Sequence, residues 1–206
     1  LLGTAMILND LKKYIKGSVR LIFQPAEEDE GGALPMILEG ALDKVDTIVA
    51  AHVMSDVPCG KILVKNGAIM ASPDDFEIII KGRGGHGAYP HKVIDPILIG
   101  SQVVNALQTI VSRRINPLEP SVISVCYFQA GTSSNVIPDT AVIGGTARSL
   151  SYELRENLPK LIEDTIKGII YSFGADYEFN FRYLYPPTIN DEIITKKFAT
   201  SSEKII

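Results

Sequence analysis

Between Pro73 and Pro187 the hydrophobic period switches in a fixed order, and that order constrains the fold more than any other feature of the chain. Asp75 to Lys81 alternates with period two, as a half-buried strand does. Asp95 to Arg114 then places apolar residues at helical spacing. Ser121 to Gln129 and Thr140 to Ser149 read as two more strands, and Tyr152 to Phe173 as a second helix. Asp176 to Tyr185 forms a last strand before Pro186-Pro187 ends the pattern. The order β-α-β-β-α-β sets two helices on one face of an antiparallel sheet.

That order is the ferredoxin-like split βαβ arrangement. The flanking sequence has a different rhythm. Ala5, Leu8, Leu11 and Ile15 lie at helical spacing, with Gly17 as a stop. Ser18 to Phe23 and Thr47 to Val53 read as buried strands, with a short helix at Leu34 to Leu42 between them. Helix, strand, helix, strand predicts an α/β domain with a mostly parallel sheet. Asn190 to Ile206 reads as a helix returning to that domain. The expected organisation is therefore a partial α/β domain over 1–72, an inserted ferredoxin-like domain over 73–187 and a return over 188–206. Both Leu1-Leu2-Gly3 and Lys204-Ile205-Ile206 lie in helical-looking sequence, as expected of a piece of a longer protein.

Charge narrows the partners. A formal net charge of -4 and a pI near 5.4 argue against a nucleic-acid surface. Arg113-Arg114, the densest basic spot, suits a helix C-terminus. Ser101, Gln102, Asn105 and Gln108 interrupt the apolar run from Ile97 to Val111, so no membrane span is expected. No basic segment followed by an apolar stretch marks a signal peptide. Cys59 and Cys126 are too few for a disulfide framework and read as reduced, partly buried thiols, which fits a cytoplasmic protein. Cys59, between Pro58 and Gly60, suits a turn better than a metal site.

Three histidines carry most of the chemical information. His52 ends an apolar run about 24 residues after the tract Gln24-Pro25-Ala26-Glu27-Glu28-Asp29-Glu30. Neighbouring strands bring their C-terminal ends together, so Glu27, Glu28 and His52 can converge as open α/β sheets place their ligands. One carboxylate can hold a cation while its neighbour acts as general base. The competing readings are a solvated acidic loop and a hydrogen-bonded core histidine. His86 and His91 lie in Gly82-Arg83-Gly84-Gly85-His86-Gly87-Ala88-Tyr89-Pro90-His91. That loop lacks the Gly-Lys-Ser/Thr ending of a phosphate loop and the spacing of a dinucleotide fingerprint. A histidine donating from exposed backbone to a substrate oxygen fits it better. Asn135 offers a donor and an acceptor in a polar turn, and Arg148 offers a fork for a carboxylate. Turn chemistry and a surface ion pair explain those two equally well.

Taken in order, these motifs resemble one family. They are Gln-Pro-Ala-Glu-Glu, His52, Met70 to Ile78, Gly-Gly-His-Gly-Ala-Tyr-Pro-His with Asp95-Pro96, Leu107 to Arg113, Asn135 to Asp139, and Gly145 to Arg148. The chain resembles the N-acyl-amino-acid amidohydrolases, the hippurate hydrolase and auxin-conjugate hydrolase-like branch of the aminoacylase and carboxypeptidase di-metal metallopeptidases. The likeness runs from residue 1 to about 190.

The resemblance implies a zinc-exopeptidase catalytic domain of the phosphorylase/hydrolase-like fold, interrupted by a ferredoxin-like lid that mediates homodimerisation. It implies two divalent ions (zinc, manganese or cobalt) and an N-acyl amino acid as substrate. Glu27 would be the general base, Glu28 and His52 metal ligands, and His86 the donor that polarises the scissile carbonyl across the dimer. Asn135 and Arg148 would hold the substrate's carbonyl and carboxylate, while His91 has no implied role. Further ligands are implied in a Cys-Gly-His-Asp-x-His segment ahead of Leu1 and a histidine beyond Ile206. With two ligands of its own, the chain alone is expected to be inactive. The rival readings are a carboxypeptidase or dipeptidase using the same groups, and a lid and assembly module without chemistry.

Overall fold

A computed structural model describes residues 1–28 and 31–205 and divides into two units, Leu1–Val53 and Met54–Ile206. In the first unit, helix α1 (Leu2–Asp10) runs into a 3-10 turn at Lys12–Tyr14, and Gly17 at φ 109° ends the helical path. Helix α2 (Ala33–Leu38) is short, and Arg20 closes the turn after it by donating to the Ala41 carbonyl at 2.8 Å.

The two strands expected in this unit, 18–23 and 47–53, make no ladder among the described residues. Val19, Phe23, Ile48 and Val53 are exposed. Apolar, β-branched sequence signals a demand for burial, but a strand exists only where a neighbour completes its backbone hydrogen bonds. The expected parallel sheet is likewise not what forms: every pairing among the described residues is antiparallel.

The second unit follows the alternating sequence closely. Strand β1 (Gly67–Met70) leads into β2 (Asp74–Lys81), and a short β3 (Gly85–His86) precedes helix α3 (Pro96–Thr109). Then come β4 (Ser121–Ala130), β5 (Val136–Ile137), β6 (Thr140–Ser149), helix α4 (Tyr152–Ser172), β7 (Asp176–Arg182), β8 (Thr188–Asn190) and helix α5 (Glu192–Ser202). The four long strands form one sheet in the order β4-β6-β2-β7. Asp74, Phe76, Ile78 and Ile80 point to the buried face of β2, and α3 and α4 cover that face.

Helix α4 buries Leu154, Leu158, Ile162, Ile166 and Ile170, each one turn from the last, and each contributes about 1.5–3 kcal/mol by leaving water. Its N-cap is Ser151, whose hydroxyl accepts from Leu154 N–H. Asp95 caps α3 by accepting from Ile97 and Leu98, ahead of Pro96 in the first turn. At the far end, a π turn at Ile110–Arg114 carries the basic pair. There Arg114 donates to Leu161 O and Thr165 Oγ1, tying α3 to α4.

Two glycines test how tightly the sheet packs. A Cβ at Gly145 would lie 1.9 Å from the Ser124 carbonyl oxygen, a backbone atom that cannot step aside. Gly168, on the exposed face of α4, has nothing within 4 Å. Gly145→Ala should therefore cost about 1–3 kcal/mol by overpacking, while Gly168→Ala should add about 0.5–1 kcal/mol by relieving helix entropy. Urea midpoints of the two variants check both signs.

The chain enters and leaves the four-stranded sheet through neighbouring segments of this unit. Strands β1 and β8 pair antiparallel, Gly67 with Asn190 and Ala68 with Ile189. Beside them Asp74 is fully buried and accepts two bonds of 2.7 Å from Arg155 and one of 2.9 Å from Leu184 N–H. The Arg155 guanidinium lies 5.0 Å from the Tyr183 ring centre. Its hydrogen bond to Asp74 is the main cause holding the Arg155 pKa above the ordinary guanidinium value.

The two cysteines differ from expectation. Both are exposed, because Cys59 sits in a turn before Gly60 (φ 84°) and Cys126 at the irregularity of β4 between Val125 and Tyr127. No helix among the described residues is long and apolar enough to cross a membrane.

Candidate active site

Glu27 and Glu28 follow a backbone closure around Pro25 and Ala26. Gly31 N–H donates to Ala26 O at 2.8 Å and Gly32 N–H to Pro25 O at 3.1 Å. A Cβ at Gly32 would lie 2.3 Å from the Pro25 oxygen, so only glycine allows this closure. Ala26, just before the two glutamates, is held at φ 50°, a left-handed conformation that costs a residue with a Cβ about 1–2 kcal/mol. Glu27 and Glu28 are both exposed on the turn that follows. Asp29 and Glu30 lie outside the described residues.

His52 lies in the same unit, in extended chain, and is exposed rather than a core histidine. Its Nδ1 is 2.7 Å from the Val53 carbonyl oxygen. Glu28 and His52 supply an oxygen and a nitrogen donor of the kind divalent cations take. Among the described residues no group of three or more His, Cys, Asp or Glu side chains gathers to hold a metal ion. The donors fit in chemistry and fall short in number, since such ions take four or more.

In the second unit the structure brings His86 and Asn135 together. Strands β3 and β5 pair as a two-residue ribbon, Gly85 with Ile137 and His86 with Val136, and Gly87 N–H donates to Asn135 O at 2.8 Å. Asp139 pins the ribbon: its carboxylate accepts from Gly84 N–H at 2.8 Å and its carbonyl from Gly82 N–H at 2.8 Å. A Cβ at Gly84 would stand 2.5 Å from Ile137 O, which explains the glycine there. The Asn135 side-chain oxygen already accepts from Ser133 Oγ at 2.7 Å, so its amide group remains as a donor. His86 Nδ1 is met by the Ala88 N–H at 3.1 Å. Asp139 and Tyr89 are the participants that spacing did not single out. Asp139 was readable only as part of a turn, and Tyr89 packs its ring 5.8 Å from that of His86 and 6.3 Å from that of His91.

Arg148 is elsewhere. It lies on β6 opposite Val122, exposed, and makes no ion pair among the described residues. Strand alternation places it on the helix-free face with Gly144 and Thr146. On that face the Tyr127 ring crosses Gly144 and donates its hydroxyl to Glu77 at 2.8 Å, the bond that chiefly raises the Tyr127 pKa. Arg182 pairs with Asp75 at 2.6 Å there too. Thr140, next to the Asp139 clamp, and Arg148 are eight residues apart on one continuous strand, about 26 Å at the rise of a strand. The structure therefore does not join Arg148 to the His86 and Asn135 ribbon within one chain.

Residues 74–171 match the peptidase dimerisation domain. Over 191 residues the chain is 49% identical to an N-acyl-L-amino acid amidohydrolase of Geobacillus stearothermophilus, covering 92% of this chain and 52% of that protein. Its backbone superposes on the crystal structure of a protein from methicillin resistant Staphylococcus aureus with a TM-score of 0.93 at 35% identity, covering 100% of this chain and 55% of the other. The Bacillus subtilis YXEP protein, a dinuclear metal binding peptidase from the M20 family, superposes with a TM-score of 0.81 at 37% identity, covering 98% and 51%. The chain thus spans about half the length of the relatives it matches. Motif order, matched domain and backbone likeness agree, and the chain belongs to the M20 peptidase family.

Proposed function

We propose that this chain forms part of a metal-dependent amidohydrolase that cleaves the amide bond of N-acyl amino acids. In this reading 1–72 belong to the catalytic domain, 73–187 form a ferredoxin-like lid that pairs two copies, and 188–206 return to the catalytic domain. The sheet order β4-β6-β2-β7 and the adjacent β1 and β8 support that division. The observation that carries the functional reading is the ribbon that joins the His86 segment to the Asn135 segment, with Gly87 N–H donating to Asn135 O at 2.8 Å and the Asn135 amide group left as a donor.

Glu28 and His52 would hold a divalent cation together with ligands from outside residues 1–206. When bound, such an ion supplies a Lewis acid and lowers the pKa of its water. Glu27 takes the proton of the attacking water at a carboxylate oxygen and returns it to the leaving nitrogen. His86 donates to the carbonyl oxygen as negative charge develops on it, and Asn135 donates beside it. Arg148 grips the substrate's free carboxylate with its fork. An acylated amino acid is about two residues long and spans roughly 7 Å, far less than the strand between Arg148 and the ribbon. The two ends of one sheet therefore serve different substrate molecules, and a complete site draws on two chains. A carboxypeptidase or dipeptidase would use the same groups, a reading favoured by the likeness to the Bacillus subtilis dinuclear metal binding peptidase.

Arg148 offers the test. An ammonium cannot reproduce the two parallel bonds of a guanidinium. Arg148→Lys in the whole protein should lower kcat/KM for N-acyl amino acids by about tenfold to a hundredfold, the scale of a charge-assisted bond. On the matching N-acyl amino amides, which lack the carboxylate, variant and wild type should converge. Equal losses on both substrates would show that Arg148 supports β6 instead of reading the substrate.

A further inference from the structure

We infer that the Asp139 carboxylate is a positioning residue for hydrolysis, because it carries the rigidity of the four-stranded sheet across a break in the ladder and into the ribbon of His86 and Asn135. This deepens the proposed function and rests on the roles given there to those two residues. Strands β2 and β6 pair as far as Lys81 and Thr140. One residue further, Gly82 N–H donates to Asp139 O at 2.8 Å, so the ladder runs on past the strand ends. It resumes where Gly85 pairs with Ile137 and His86 with Val136. Between those points the register slips by one, and Arg83 and Gly84 stand against Pro138 alone. A two-against-one step of this kind is a β-bulge, which breaks the ladder locally. Pro138 has no N–H to offer it.

Two other partners take over at the step. Arg83 exchanges two bonds of 2.9 Å with Ile94, and Gly84 N–H donates to Asp139 Oδ1 at 2.8 Å. Asp139 therefore holds both sides of the break, Gly82 through its carbonyl and Gly84 through its carboxylate. Glycine is what permits the approach. A Cβ at Gly82 would lie 2.2 Å from Ile94 O, and one at Gly84 would lie 3.1 Å from the Asp139 nitrogen.

The ribbon needs this support. Two residues per strand are too few to hold a shape alone, whereas Ile80, Ala141 and Ile143 beside the break are fully buried in the sheet. Groups aimed at developing charge act only when they are in place beforehand, and a shift of about 1 Å can cost about a hundredfold in rate. Because its partner is a backbone N–H, the position calls for an acceptor and not for a charge. Asparagine keeps an acceptor oxygen there, and alanine keeps none.

The test is made in the whole protein with N-acyl amino acids as substrates. Asp139→Ala should lower kcat by about tenfold to a hundredfold and leave KM within about threefold, the pattern of a group misplaced in the transition state. Asp139→Asn should stay within about threefold of wild type in both. In a His86→Ala background the further loss from Asp139→Ala should fall well below the loss seen with His86 present, since less remains to be aimed. Amide exchange supplies a readout without hydrolysis. In Asp139→Ala the Gly87 amide, which bonds across the ribbon, should exchange about threefold to tenfold faster, with Ile78 and Ile80 unchanged. Full kcat in Asp139→Ala, an asparagine variant as impaired as the alanine one, an undiminished loss in the His86→Ala background, or unchanged exchange at Gly87 would each overturn the inference. Wild-type hydrolysis by His86→Ala alone would instead remove the role proposed for His86, while exchange at Gly87 would still decide whether Asp139 holds the ribbon.

Discussion

Arg155→Ala should lower the stability of the sheet unit by about 3–5 kcal/mol, among the largest losses a single substitution in this chain can cause. Its partner Asp74 has no exposed surface, and Arg155 gives it two bonds of 2.7 Å. Among the described residues, removing the guanidinium leaves the buried carboxylate with the Leu184 N–H as its remaining partner. It also strips the cation from the face of Tyr183, a few tenths to a full kcal/mol more. In a unit of this size the loss corresponds to a fall in Tm of roughly 6–20 °C. Lys81→Ala is the control, because its ion pair with Glu178 is about half exposed on both sides and should be worth less than about 1 kcal/mol. A comparable, small effect from both variants would mean that the Asp74 carboxylate is solvated after all. The position matters for more than stability, since Asp74 and Leu184 mark where the chain enters and leaves the sheet.

The sequence read well where one element buries one face. Strand β2 and helix α4 were visible in full because their burial repeats every second or every fourth residue without help from elsewhere. It misled where apolarity stood in for pairing. Residues 18–23 and 47–53 are as apolar as any strand here, yet no neighbour among the described residues completes their ladders. The β3 and β5 ribbon went unseen for a different reason: each strand is two residues long, and its partner lies 50 residues away. Nothing in Ser72-Pro73-Asp74-Asp75 marks Asp74 as the buried carboxylate, since only the fold brings Arg155 to it from 81 residues away. The candidate site was legible as residue types, because three histidines in 206 residues leave few places to look. The backbone partners of the His52 and His86 rings were not, because only the fold decides which group faces each ring. Nor was the distance between Arg148 and the ribbon, which needs β6 to be one unbroken strand.

His86→Ala and Glu27→Ala, each inactive alone, should restore activity to one another when mixed. Loss of an oxyanion donor costs about a hundredfold to a thousandfold in kcat, and loss of the general base at Glu27 costs about as much or more. If His86 and Asn135 reach into the partner's site, each complete site takes Glu27 from one chain and His86 from the other. A mixed dimer then has one site with both groups missing and one with both intact. Random exchange makes half of the dimers mixed, so the pool should recover about a quarter of the wild-type rate. A site confined to one chain predicts no recovery at any mixing ratio, because every site keeps its own defect. The length of β6 is what favours the shared arrangement: one substrate spanning roughly 7 Å cannot touch Arg148 and the ribbon of a single chain. Subunit exchange is confirmed first with two differently tagged wild-type copies. Confirmed exchange without recovered hydrolysis would place His86 and Glu27 of the same chain in one site, and would leave Arg148 outside it.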